Sequence, residues 1–149
     1  MDPIRAALMA CKCSALVLLA SGCLHPTRTL LVHPLAHANH QRRFYLVVRT
    51  LKEEEFVSDA YEHVAGLVFP SALDPSVKLV RLVAPGHDDQ VELTLPAEQP
   101  FAVYALFTEP GETWKVLVTP PLVRRYHVVL DENRVTVRTQ APGLLERGR

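Results

Sequence analysis

Cysteine is absent after residue 23. Cys11, Cys13 and Cys23 are the only three in 149 residues, which excludes a disulfide framework through the rest of the chain. A charge surplus is also missing: 16 basic residues balance 16 acidic ones, and without a basic excess no nucleic-acid partner is expected. Long hydrophobic runs are lacking too. The N-terminal run, residues 13–20, is about eight residues long, whereas a spanning helix needs roughly 20. Serine is scarce after the N-terminus, with only Ser58, Ser71 and Ser76, none set between nucleophile-elbow glycines. Adjacent carboxylates such as Asp88 and Asp89 fall in a turn and read as solvated acids. No enzyme and no cofactor are expected.

What is present begins at the N-terminus. Arg5 and Lys12 precede the apolar run, which ends on Ser21-Gly22-Cys23, the order of a signal peptide. The ending Ala-Ser-Gly-Cys resembles a bacterial lipobox. That resemblance implies cleavage after Gly22 and lipidation of Cys23; the alternative is an apolar N-terminus with buried thiols. Several acyl chains together anchor a protein firmly. Leu24 stands where an aspartate would resemble an inner-membrane retention signal, so an outer-membrane anchor with the domain in the periplasm is expected. The domain expectation is a signal peptide over 1–22, a tether over 23–27, a folded domain over 28–139 and a flexible tail over 140–149.

The folded part reads as all-β. Residues 28–36 give a first strand, with Pro34 pointing to a sheet edge, and 44–51 a second, rich in β-formers. The period then changes. Phe56, Ala60, Val64 and Leu67 repeat on one helical face, widened by Val57 and Tyr61, with Gly66 as the stop. Alternation resumes over 77–83 and 90–96, where Val91, Leu93 and Leu95 point inward. Residues 100–107 are apolar on both faces, as a central strand is. Segments 113–119, 126–130 and 134–139 complete about eight strands, the last two forming a hairpin. Eight short strands with one inserted helix spell a β-sandwich.

Two groups of residues stand out as candidate sites. His33, His37 and His40 are close in sequence and are candidates for an open metal site, set against plain loop histidines; His127 reads as an outward-facing surface residue. The segment His37, Ala38, Asn39, His40, Gln41, Arg42, Arg43 is polar, reads as a flexible loop and carries two arginines, frequent contact residues at interfaces. Its alternative is a solvated connection. If successive strands reverse direction, this loop lies at the end of the sandwich opposite the tether, together with 84–89 and 108–112. Trp114, Tyr104, Phe101 and Phe107 are assigned to the core.

The order of features also resembles a known family. Val47-Val48-Arg49, Phe56 with Ala60-Tyr61, Pro85-Gly86, the strand around Ala105, and Trp114 follow a lipobox in the order found in TssJ, the outer-membrane lipoprotein of type VI secretion systems. The resemblance covers residues 29–139. It implies a transthyretin-like β-sandwich with an added helix and a non-enzymatic role: binding the periplasmic C-terminal region of TssM, and through it TssL. It also implies that the loop joining the first two strands, here residues 37–43, takes part in that binding. Two departures accompany it. Only Asn39 and Arg42 or Arg43 echo the Asn-Pro-Asp and Gly-Arg-Pro often seen in the family loop, and Lys115 stands where an arginine is usual.

Overall fold

The computed structural model describes residues 26–140. Cys23, the signal segment and residues 141–149 lie outside the described residues. Eight strands form two four-stranded sheets. The first has the order β4 (Asp89–Thr94), β1 (Thr27–Pro34), β7 (Arg125–Leu130), β8 (Val135–Arg138). The second has the order β3 (Val77–Val83), β2 (Phe44–Thr50), β5 (Phe101–Leu106), β6 (Lys115–Val118). All neighbours are antiparallel except β1 and β7, which run parallel.

Pro34 does not mark a sheet edge, because β1 is an inner strand paired on both sides. Backbone N–H groups alternate in direction along a strand, and those of Thr29 and Leu35 point to β7. The missing N–H of Pro34 therefore faces β4, where pairing has already ended at Val32 opposite Asp89. Proline removes no ladder bond there.

Alternation sets the main core. Leu30 and Val32 from β1, and Val128 and Leu130 from β7, meet Leu46, Val48, Val103 and Ala105 of the opposing sheet. β2 and β5 are apolar on both faces because their outer face is covered too. There Val47, Leu51, Ala102 and Tyr104 pack with Val64 and Phe56 of the inserted helical segment. Phe101, Tyr104 and Phe107 are fully buried, and partly buried Trp114 touches both clusters.

The inserted segment is two helices rather than one: α1 (Glu53–Ser58) and α2 (Tyr61–Gly66). The chain is extended at Asp59, with φ −64° and ψ 110°. A tertiary contact opens it. Asp59 Oδ2 accepts from Arg49 at 2.7 Å and from the Tyr104 hydroxyl at 2.5 Å, and the side chains of Arg49 and Asp59 are both covered. Lys115 Nζ completes the junction, donating to the carbonyls of Phe56 at 2.6 Å and Asp59 at 2.8 Å. A cation on the last carbonyls of a helix complements its dipole. Val57 and Ala60, expected on the packed face, are exposed because the break at Asp59 ends the single helical face, whereas Val64 is buried as the periodicity requires.

Strand direction sorts the connections into two ends. β1 begins at the near end, with residues 95–100 and 119–124. Residues 35–43, 84–88, 107–114 and 131–134 gather at the far end, as the pairings dictate.

Candidate functional site

The far end is organised around Asn39. Its side chain is buried, and its Oδ1 accepts the Thr108 N–H at 2.7 Å while its Nδ2 donates to the Arg42 carbonyl at 3.1 Å. Its backbone N–H donates to the Glu132 carbonyl at 2.9 Å. One residue thus binds the β1–β2, β5–β6 and β7–β8 connections together. The backbone turns left-handed here, with φ of 48° at Asn39, 53° at His40 and 63° at Gln41. Asparagine tolerates this region better than most residues; His40 and Gln41 are held in it by the surrounding bonds.

The segment expected as a flexible loop is therefore a fixed turn, and its seven residues divide. Ala38 and Asn39 are buried and cannot be contact residues; they belong to the scaffold. His37 is half-buried, and His40, Gln41, Arg42 and Arg43 are exposed. Among the described residues no acid pairs with either arginine.

Each histidine expected as a metal ligand meets a carboxylate from another loop. His37 Nε2 lies 2.7 Å from Asp131 Oδ1. His40 lies 3.3 Å from Glu132 and 3.8 Å from Glu109. His33 is 3.0 Å from Asp88 through Nδ1 and 3.0 Å from His127 Nδ1 through Nε2. Among the described residues no group of three His, Cys, Asp or Glu is arranged to hold a metal ion. Burial opposes ionisation of Asp131, but the Glu132 N–H, His37 and Arg134 outweigh it and hold its carboxyl below the usual range.

His127 is not a surface residue. It faces outward from the sheet as alternation requires, yet it is buried, its ring stacked on His33 at 5.2 Å. Residues 84–88 and 107–114 lie at this end as strand parity requires, and residues 131–134 join them. The same alternation of strand direction carries the β7–β8 turn here, and the parallel pairing of β7 with β1 agrees with it. Gly111 meets this turn so closely that a Cβ would stand 2.9 Å from the Asn133 carbonyl oxygen.

The profile of the IglE N-terminal domain matches residues 45–130. No curated protein matches the chain in sequence. Among solved structures, the type VI lipoprotein TssJ1 from Pseudomonas aeruginosa superposes with a TM-score of 0.61 at 18% identity, over 78% of this chain and 98% of that one. Lip of Serratia marcescens, a membrane-bound component of the type VI secretion system, gives 0.61 at 14% identity, over 78% and 99%. A chain from the structure described as the type VI protein TssM C-terminal domain, from EAEC, gives 0.60 at 18% identity, over 76% and 98%. The likeness to these three is one of fold. The profile covers more than half of the sequence, so the chain belongs to the IglE family, and it carries the β-sandwich fold of the TssJ lipoproteins.

Proposed function

We propose that this protein is a non-enzymatic lipoprotein of a type VI secretion system. In this reading lipid on Cys23 holds it to the outer membrane, the sandwich faces the periplasm, and the far end docks the periplasmic C-terminal region of TssM, linking through it to TssL. One observation carries the reading. At the end of β1 opposite the tether, a turn locked by buried Asn39 displays Arg42 and Arg43 with no acid pairing either of them among the described residues. An unpaired arginine pair on a fixed turn suits a contact surface, because the backbone needs no further ordering on binding. The TssJ-like fold and the membership of the IglE family support the secretion context. The description of a matching structure as the TssM C-terminal domain supports the choice of partner.

The joint change Arg42→Ala with Arg43→Ala tests the docking reading by titration against the purified TssM periplasmic fragment. The expected result is an affinity loss of roughly tenfold or more at an unchanged melting temperature. Unchanged affinity would move the interface off this turn. Cys23→Ser is expected to release the protein from membranes washed at high salt with its fold intact, and retention after that wash would remove the lipid anchor from the reading.

A further inference from the structure

The near end contains a buried cation that the docking reading does not use. Arg28 lies on the inward row of β1, in line with Leu30 and Val32, and is 7% exposed. Its Nε is the one buried side-chain polar atom among the described residues without a hydrogen-bond partner. A guanidinium with one buried donor unmet is unfavourable, and a phosphate accepting from its N–H groups is a strong match.

The start of β7 adds to it. The Thr29 N–H donates to the Arg124 carbonyl at 2.8 Å, and Thr29 stands opposite Arg125, so the first residues of β1 and β7 lie side by side. Arg124 and Arg125 are exposed, and no carboxylate pairs with either among the described residues. Val123 beside them is 40% exposed on a connection pinned by the bond from its N–H to the Tyr126 hydroxyl at 2.8 Å. Glu92 stands opposite Thr29 on β4, and the other acids of this end, Glu98, Asp74 and the first turn of α1, lie on the connections after β4 and β2.

We propose that this end is a membrane-facing site for lipid phosphate, with Arg28, Arg124 and Arg125 binding headgroups and Val123 entering the interface. The choice of a lipid surface comes from where the chain leads. Five tether residues reach at most about 18 Å, so a lipid on Cys23 brings the start of β1 within that distance of the bilayer. That orientation rests on the proposed lipidation of Cys23. Apolar contact combined with basic residues is what an anionic interface attracts.

The test is flotation of residues 23–149, the chain expected after signal cleavage, carrying Cys23→Ser, with vesicles of phosphatidylcholine, with and without phosphatidylglycerol. This variant cannot be lipidated, so flotation reads the patch alone, while the intact mass of the native chain reads the anchor separately. The expected result is salt-sensitive binding to the anionic vesicles. Each exposed arginine replaced by Gln should weaken it roughly fivefold. Arg28→Met should weaken binding while raising the melting temperature, because it removes an unpaired buried charge. No preference for anionic vesicles, or binding indifferent to all three changes, would overturn the proposal. So would inorganic phosphate raising the melting temperature of a chain that floats with neither vesicle, since the site would then take the free ion.

Discussion

At the residue scale, Asn39 has the largest structural role at the far end. Asn39→Ala removes the acceptor of the Thr108 N–H and places a Cβ-bearing, non-polar residue at φ 48°. A buried donor left unpaired and a left-handed alanine together are expected to destabilise by about 2–4 kcal/mol in urea unfolding. Asn39→Gly loses the same bonds without the conformational strain and should be milder by about 1 kcal/mol. Equal losses would show that the turn geometry is not what Asn39 supplies. Asp131 makes a separate prediction. Its folded carboxyl lies below the ordinary value, so its contribution is complete above about pH 4 and disappears as pH falls through the folded value. Acid titration of stability should therefore be shallower below pH ~4 in Asp131→Asn than in the parent chain. Parallel curves would mean that the Glu132 N–H, His37 and Arg134 together give the carboxylate no net contribution to folding.

At the scale of elements, the junction of α1 and α2 shows which features local sequence carries. Phe56 and Val64 of the repeat gave the position and the packed side of the helical segment, whereas Ala60, at the break between the helices, is exposed. The break at Asp59 was not legible, because it depends on Arg49 and Tyr104, 10 and 45 residues away in sequence. Burial first, then the Asp59 carboxylate, raises the Tyr104 hydroxyl far above its ordinary value, which keeps it a donor. Removing one side of a buried ion pair strands the other, so Asp59→Ala should destabilise by about 3–5 kcal/mol. Tyr104→Phe loses one bond to a charged group and should lose about 1.5–3 kcal/mol. Chemical denaturation measures both, and a mild Asp59→Ala would mean that Arg49 finds another acceptor, with Asp74, 3.6 Å away, the nearest candidate. Strands were easier to read. The alternation of Val91, Leu93 and Leu95, and the two-sided burial of residues 101–105, follow from period two and from a covered outer face.

At the scale of the whole molecule, strand parity gave the two ends correctly. The tether enters β1 at one end, and residues 35–43 and 84–88 lie at the other. The near-end arginines were not singled out, because the burial of Arg28 depends on its inward register, and a lone arginine at a strand start carries no such mark. Their separation from the far end makes a final prediction. β1 is eight residues long, so its ends stand about 23 Å apart. Changes at sites this distant, with no shared partner, add in free energy to within about 0.5 kcal/mol. Combining Arg42→Ala and Arg43→Ala with Arg124→Gln and Arg125→Gln should therefore leave each loss, of partner affinity and of vesicle affinity, as large as it is alone. Calorimetric titration of the partner fragment in the presence and absence of anionic vesicles measures this directly. Partner affinity that changed when vesicles were added would mean that the two ends communicate through the sandwich. A rigid spacer holding membrane and partner at its two ends does not allow that, because neither ligand would then discriminate between states of the domain.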